Sequence, residues 1–588
     1  MLDFKTMRGE GLAKLQNLKK HQQRLVLLRT CSFLIMIFAF AAGWDGHIWG
    51  IFLGILMLAA FIALVRRHQR LGLSLLLTES QLACLQACLD RISGKWRAFP
   101  DDGQDLRQKD RPQEADLPIL GPASLYQYLT SARTKAGRRR LSQLLSPYPE
   151  AADSIRQRQQ AVKELSAQPE TMLQLEALGH LLPAKADFAE FCTMMEHTAI
   201  QPKKVLRLLS FVLPVISFLT LGLALAGRLD LTIPGLLFSL QLLLTFLLLR
   251  RSQALLAPLM ALPQEFAIYE KLFTSFTNVD WQSPLLQNFH HELRSDQAAE
   301  NLKKLAALAD KIVMRRNIFF FLAANTAVLF DLHCTARMFR WQAQSGEKLR
   351  RWLSVWAELE ALLSLANAAL TRKAVCWPEF LEGTPQLQGK DITPLLIEEE
   401  KAVPNDAHFT AGTCIITGSN MSGKTTYMRT LATSAILAYA GAPVCAKSFS
   451  LTPMRVFTSI HVSDDLSKGI STFYAEILRI RQMVEASKEG TPLFLCIDEI
   501  FKGTNSADRI TGAAEAIKRL TTPHTITLVT THDFELCDLK SPNDLPIVNC
   551  HFEEYYQDDK IHFDFKLKPD RCHTTNAKYL LKMAGILS

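Results

Sequence analysis

A chain of 588 residues is too long for one hydrophobic core, so two or three structural units are expected. With 48% hydrophobic and 21% charged residues the composition is near that of a globular protein rather than a disordered one, but the apolar residues collect in runs long enough to matter for a membrane. The net charge of +9 is a mild basic excess that suits anionic lipid or nucleic acid, and beside membrane segments it is most simply the topology signal. The twelve cysteines stand singly. Even Cys84 and Cys88, one helical turn apart, have no matching His or Cys pair, which argues against a zinc site and against a disulfide framework. Cys414, Cys445 and Cys496 lie in apolar surroundings, where a thiol acts as a small core residue, and a reducing compartment is the simplest account.

Residues 1–70 read as a basic N-terminus and a first membrane hairpin, with apolar runs at 32–44 and 48–65 broken at Asp45-Gly46-His47. The second run, about 18 residues, is long enough to span. Residues 71–115 read as a helix and then a charged linker, Asp101 to Pro112, without an apolar period. Residues 116–204 carry apolar positions at three- and four-residue spacing and are expected to form the first part of a helical core. Residues 205–251 are expected to form a second membrane hairpin, 208–226 and 231–249, around Gly227-Arg228-Leu229-Asp230. Residues 252–374 are helical again and read as the second part of the core or lever. Within them the apolar stretch 318–330, about 13 residues and containing Asn325, is short for a span and is expected to be a core helix.

From 375 to 588 short β-rich runs alternate with helical stretches, the signature of an α/β domain, with strand candidates at 413–417, 493–497 and Thr525–Thr530. Basic residues flank both hairpins: Lys19, Lys20, Arg24 and Arg29, then Arg66, Arg67 and Arg70, at the first; Lys203, Lys204 and Arg207, then Arg250 and Arg251, at the second. The positive-inside rule places all these ends in the cytoplasm, giving a multi-pass protein of the inner (cytoplasmic) membrane with membrane lipid as a partner. Ala39-Phe40-Ala41 resembles a signal-peptide cleavage site, but the long basic region before it and the second apolar run directly after it argue against processing. The competing account of the four runs is that they are buried helices of a soluble core.

Gly418-Ser419-Asn420-Met421-Ser422-Gly423-Lys424-Thr425 follows the apolar run Cys414-Ile415-Ile416 and opens a helical stretch, 426–439. Glycines in this strand–loop–helix setting let backbone N–H groups approach phosphates, and the helix N-terminus favours the anion. Lys424 is expected to reach the β- and γ-phosphates of ATP, Thr425 to ligate Mg²⁺, and Thr426 to complete the cradle. A second apolar run, Leu493-Phe494-Leu495-Cys496-Ile497, ends in Asp498-Glu499; Asp498 is placed to hold Mg²⁺ and Glu499 to polarise the attacking water. The third strand ends at Thr530-Thr531-His532, where a His can sense the γ-phosphate.

Further residues resemble the ATPase domain of the MutS mismatch-repair family. They are Val403-Pro404-Asn405-Asp406, Val456 to Ile460, Ser463-Asp464-Asp465-Leu466, Gly469-Ile470-Ser471-Thr472-Phe473, Gly503-Thr504, Glu535-Leu536, Asn549-Cys550-His551, Tyr579 and Ala584-Gly585, in the family's order over about 200 residues. A weaker match, Leu125 to Leu129, Thr134 to Leu141 and Ile155 to Val162, resembles the start of that family's helical core. The resemblance implies an ABC-type, MutS-like P-loop NTPase domain behind an all-α core and lever region. It also implies a homodimer in which Ser471 reaches the γ-phosphate bound by the other subunit, a place for His551 near the adenine, a shared role for Asn420, and double-stranded DNA as a partner beside unidentified proteins. This chain departs from the family pattern at Ser419 and Ser422, where many members have Pro and Gly, at Ile500-Phe501-Lys502, and in having a hairpin where a Phe-x-Glu mismatch-reading domain is expected. Those departures put mismatch recognition in doubt and open a second reading, a regulatory or scaffold ATPase of the membrane that binds no DNA. An ABC transporter is a third reading, weakened by the absence of a Leu-Ser-Gly-Gly-Gln signature.

Overall fold

The computed structural model describes residues 3–108, 111–196, 204–419, 421–460, 472–501, 506–540, 544–557 and 560–572. Asn420, Ser471, the stretch Ser463 to Leu466, Lys502, Gly503, Thr504, Tyr579, Ala584 and Gly585 lie outside the described residues. Two compact units divide the chain: residues 1–132, 138–173 and 360–588 form one, and residues 133–137 and 174–359 the other.

The first unit opens with a helical hairpin, Phe4–Trp44 and Ile48–Ile92. Asp3 caps the first helix by accepting the N–H groups of Lys5 and Thr6, each at 3.1 Å. No separate helix begins after residue 70; the second helix runs unbroken to Ile92, because the Leu-rich stretch that follows the apolar run has no Pro and a single Gly, Gly72. At 41 residues the first helix is about 60 Å long, twice the hydrocarbon core of a bilayer. Its basic half therefore continues beyond the apolar half as a two-helix stalk, with Lys19 paired to Glu79 at 3.0 Å. In the apolar half the backbones approach closely through small residues. A Cβ on Gly50 would lie 2.6 Å from the carbonyl oxygen of Ala39 and from the N of Gly43, and one on Gly54 would meet the Phe40 ring at 2.7 Å.

The apolar windows of both hairpins are only 11–28% buried, so they are not core helices in this structure. Among the described residues five helices are long and apolar enough to cross a membrane by length and composition; the fifth, Phe330–Thr371, has 78% of its most apolar stretch buried.

At the stalk's base, the Arg91 guanidinium donates to the carbonyls of Tyr128 (2.6 Å) and Thr130 (2.9 Å), closing the C-terminal end of the short helix Leu125–Leu129. Tyr128 and Thr371 share a hydroxyl hydrogen bond at 2.8 Å, and the Arg372 guanidinium lies 5.6 Å from the Tyr128 ring centroid while donating to Ile397 O at 2.7 Å. The first part of the charged stretch, from Asp101 to Asp105, is not a loose linker. Both carboxylate oxygens of Asp101 and of Asp105 accept from Arg138 at 2.7–2.9 Å, and the Arg138 side chain is 2% exposed. A buried guanidinium needs such partners, so the acids that made this stretch look like solvated linker are what order it. Asp116 then pins the chain to the α/β domain: Oδ2 accepts from Thr458 Oγ1 at 2.8 Å and from Ile460 N at 3.1 Å, and Arg479 bridges to it at 2.9 Å.

Among the described residues the α/β part has twelve strands: β1 (Glu379–Phe380), β2 (Gln386–Ile392), β3 (Asn405–Thr410), β4 (Gly412–Thr417), β5 (Ser448–Leu451), β6 (Arg455–Ser459), β7 (Leu493–Asp498), β8 (Thr525–Thr530), β9 (Ile547–His551), β10 (Glu554–Gln557), β11 (Lys560–Phe563) and β12 (Lys568–Pro569). The main sheet has the order β12-β9-β4-β8-β7-β6, parallel throughout except for the edge strand β12. Every residue of β4, β7 and β8 is buried, as central strands of a two-sided parallel sheet require. A smaller sheet, β1-β5-β2-β3, stands beside it. The helix Lys424–Ala440 follows β4, begins at Gly423 (φ 112°) and ends at Gly441 (φ 82°), both in the left-handed half of backbone space that glycine adopts freely.

In the second unit the hairpin Lys204–Leu225 and Thr232–Leu256 is tied by a buried hydrogen bond from Gln241 Nε2 to Ser217 Oγ at 2.6 Å. The helix Ile318–Val328 is not the core helix expected from its sequence. Ile318 and Phe319 are 58% and 79% exposed, and only Phe321 and Asn325 are buried. An apolar composition at helical spacing does not say which neighbours will cover it, and here the cover is partial.

Candidate nucleotide site

The loop between β4 and the helix Lys424–Ala440 is held in a conformation that needs its glycines. Gly418 has φ 142°, and a Cβ there would collide with the carbonyl oxygen of Phe552. Met421, at φ 71°, is 85% exposed at the loop's crest. Lys424, 4% exposed, donates its ammonium to the carbonyls of Gly418 (2.7 Å) and Ser419 (2.8 Å), so the charge sits inside the loop. Ser419 Oγ donates to Glu554 Oε2 at 2.6 Å, tying the loop to β10; the buried Ser422 Oγ has no hydrogen-bond partner among the described residues.

Strand order then assembles the acids. With β8 between β4 and β7, the C-terminal ends of all three strands converge beside the loop. Thr425 Oγ1 donates to Asp498 Oδ2 at 2.8 Å, and Thr530 Oγ1 donates to Asp498 Oδ1 at 2.5 Å. The same Thr530 hydroxyl accepts the Glu499 N–H at 2.9 Å. Glu499 has φ 53°, a left-handed conformation unfavourable for a residue with a side chain, and its N–H is further bonded to Thr530 O at 3.1 Å. His532 Nε2 lies 3.2 Å from Glu499 Oε1. Arg509 grips Asp533 with two bonds of 2.7 and 2.8 Å, which anchors the loop that carries His532.

A cavity of about 320 Å³ opens over these groups. Its polar end is formed by Ser419, Gly423, Lys424, Thr425, Thr426 and Glu499. Its other end is apolar and aromatic, with Ile397, Val403, Tyr427, Phe552 and Phe565. Asn405 secures that wall: its Nδ2 donates to Phe565 O at 2.9 Å and its Oδ1 accepts from Leu567 N at 2.8 Å. Tyr427 OH donates to Asp406 O at 2.8 Å. The arrangement suits a phosphorylated nucleoside, with phosphates at the loop and a flat base against the aromatic wall. Among the described residues no group of three or more His, Cys, Asp and Glu side chains is arranged to cage a metal. The oxygen donors Thr425 Oγ1 and Asp498 Oδ2, 2.8 Å apart, could hold a cation such as Mg²⁺, which keeps most of its ligands from water and phosphate.

The predicted residues Gly418, Ser419, Met421, Ser422, Gly423, Lys424, Thr425, Thr426, Asp498, Glu499 and His532 thus fall in one place. His551 does not line the cavity. It is 8% exposed, its Nδ1 lies 2.9 Å from Asp570 O, and the next residue, Phe552, forms the wall instead. Sequence reasoning passed over Thr530, Phe552, Phe565 and Tyr427; only Thr530, inside the motif that ends in His532, carried a local signal. Cys414, Cys445 and Cys496 are all buried, and burial pushes the Cys445 thiol up to about 12, which keeps it protonated and inert.

Thr530→Val is expected to keep the strand and lose both hydroxyl bonds, leaving an Asp498 oxygen and the Glu499 N–H underpaired. The cost should be about 1–3 kcal/mol of stability. Mg²⁺-dependent turnover should fall while nucleotide binding persists. A thermal melt together with a Mg²⁺ titration of turnover checks this, and unchanged values in both would remove Thr530 from the site.

A parallel sheet whose central strand feeds a glycine-rich loop, a buried lysine and a Thr–Asp pair defines a domain of the P-loop NTPase type. Residues 414–587 match the family model MutS domain V. The chain is 29% identical over 290 residues to a protein named DNA mismatch repair protein MutS 2 from Haloarcula marismortui, a match that covers 44% of this chain and 29% of that protein. By this match residues 414–587 are similar to MutS domain V, and the chain spans less than a third of the length of that relative.

Proposed function

We propose that this protein is a membrane-anchored MutS-type ATPase that binds and hydrolyses Mg-ATP at a site shared by two copies of the chain and relays nucleotide state through its helices to double-stranded DNA. The observation that carries the hydrolytic part is the bonded series Thr425–Asp498–Thr530–Glu499–His532, which meets the cavity lined by Lys424, Thr425 and Glu499. Lys424 neutralises the β- and γ-phosphates. Thr425 and Asp498 hold Mg²⁺, which supplies further charge neutralisation when bound. Glu499 takes the proton of the attacking water, and His532 fixes the Glu499 carboxylate and senses the γ-phosphate. Phe552 and Phe565 flank the base, with His551 behind them. As the family resemblance implies, Ser471 of a second copy reaches the γ-phosphate and completes the site in an ABC-type homodimer, with a shared role for Asn420.

The hairpins at 1–70 and 205–251 anchor the chain in the inner membrane with the ATPase domain, 375–588, in the cytoplasm. This is supported by their exposed apolar faces and basic flanks. The segments 116–204 and 252–374 serve as core and lever. Chain contacts running from Arg91 through Tyr128 and Arg372 to Ile397, which lines the cavity, favour coupling between the first hairpin and the nucleotide. The DNA part rests on the name of the relative. The basic residues beside the apolar hairpins favour a second reading in which they meet lipid headgroups and no DNA is bound.

The test is turnover by the detergent-purified chain with and without duplex DNA across a salt series. Expected are Mg²⁺-dependent hydrolysis and DNA binding that weakens steeply with salt. Turnover without DNA binding would leave the regulatory ATPase of the second reading, and absence of turnover would end the enzymatic one.

A further inference from the structure

We propose that residues 316–333 form a re-entrant helical hairpin that enters the bilayer beside the second membrane hairpin, turns at Leu329 and leaves on the side it entered, with its outer face and a groove against Phe218 and Phe238 covered by lipid acyl chains. The inference rests on the membrane reading of the second hairpin given above.

Three sets of contacts fix the path. Entry is at the basic-flanked end of the second hairpin, where the Arg316 guanidinium donates to Met260 O at 3.0 Å, just beyond the helix that ends at Leu256. The helix Ile318–Val328, capped by Asn317 and about 16 Å long, then runs alongside the hairpin. Leu322, Ala323, Thr326 and Ala327 share an apolar cleft of about 430 Å³ with Phe218 and Phe238. Phe218 lies about 15 Å along its helix from the start of the apolar run at Leu208, which is the middle of a hydrocarbon core about 30 Å thick. Leu329, at φ 49°, reverses the chain. Phe330 returns to pack edge-on against Phe320, with ring centroids 5.4 Å apart, and His333 Nε2 comes to 3.1 Å from Ser210 O, near the basic-flanked end again.

Arg315, Asn325 and Asp331 partner one another and the backbone inside the protein, as the membrane interior favours, although the buried Arg315 Nε has no hydrogen bond among the described residues. Arg315 pairs with Asp331 at 2.6 Å, and both side chains are only 6% exposed. The Arg315 guanidinium also lies 5.6 Å from the Phe321 ring centroid. Asn325 Oδ1 accepts the Asp331 N–H at 2.9 Å, and its Nδ2 donates to Phe321 O at 2.9 Å. This cluster staples the two arms of the turn. An apolar helix of this length is a core helix, a re-entrant one or an interfacial one. Exposure of Ile318 and Phe319 excludes the first, and the depth of the cleft excludes the last. Lipid is the occupant because the exposed face carries no charge and is continuous with the apolar surface of the hairpin, where Leu219 is 63% and Leu236 71% exposed.

The experiment uses the full chain in liposomes of phosphatidylethanolamine and phosphatidylglycerol, with exposed Cys31 replaced by serine. Nitroxide labels are placed through Phe319→Cys, Ile318→Cys and, as the reference, Leu219→Cys, and collisions with oxygen and with a polar nickel chelate are compared. Oxygen should win by several-fold at all three positions. Oxygen at 219 but the chelate at 318 and 319 would overturn the re-entrant hairpin alone. The chelate at all three would overturn the membrane reading beneath it. Access to neither at 318 and 319 would mean that protein, including a second copy, covers the face, and would overturn the lipid assignment. Lys311→Cys and Gln344→Cys should also react with an impermeant thiol reagent from one and the same side. Labelling from opposite sides would mean a complete span and would overturn re-entry.

Discussion

Replacing Lys424 with alanine is expected to remove tight ATP binding. The ammonium is the point charge held within the loop, and each charge-assisted contact it makes to phosphate should contribute about 1.5–3 kcal/mol. Loss of contacts to two phosphates therefore predicts a Kd raised on the order of 10²-fold or more. The same side chain satisfies the carbonyls of Gly418 and Ser419, so part of the effect could come from a relaxed loop. Lys424→Met, which keeps the stem and removes the charge, separates the two causes: a melting temperature near that of the unmodified chain with lost affinity assigns the effect to charge. Calorimetric titration with Mg-ATP is the measurement, and unchanged affinity in both variants would remove this loop as the nucleotide site.

Glu499→Gln should do the opposite to binding and turnover. The amide keeps the shape of the carboxylate, and the backbone N–H bonds to Thr530 that hold the residue at φ 53° are untouched. Gln cannot take a proton from water. Hydrolysis should fall on the order of 10²- to 10⁴-fold, while Mg-ATP still binds. Because the next step is blocked, ATP-bound dimers should accumulate, visible as a shift in sedimentation on adding Mg-ATP. Single-turnover hydrolysis at the normal rate would show that another group serves as the base. His532→Gln is the companion. It still offers a donor to Glu499 but no imidazole, so turnover should fall less than in Glu499→Gln if the ring only orients the carboxylate.

Much of the site was legible before any coordinates because its chemistry is local. A strand, a tight loop with Gly418 and Gly423, and a helix opening at Lys424 make an anion cradle out of consecutive residues, and an apolar run ending in Asp498-Glu499 marks its own strand end. The same holds for the hairpins, whose signal is continuous hydropathy with basic flanks. Stretches whose role depends on partners far along the chain were not legible. Asp101 and Asp105 read as linker until Arg138 closes on them. Thr530 became a site residue only when β8 was inserted between β4 and β7, which puts one hydroxyl between the Asp498 carboxylate and the Glu499 N–H. Phe552 took the place expected for His551 because the chain leaves β9 with Phe552 turned into the cavity. The helix Ile318–Val328 shows the limit most plainly. Its apolar pattern determined that it would be a helix and avoid water, since those follow from propensity and transfer free energy alone. Whether protein or lipid would cover it was decided by how far its neighbours reach, a property of the packed helices around it and not of its own residues.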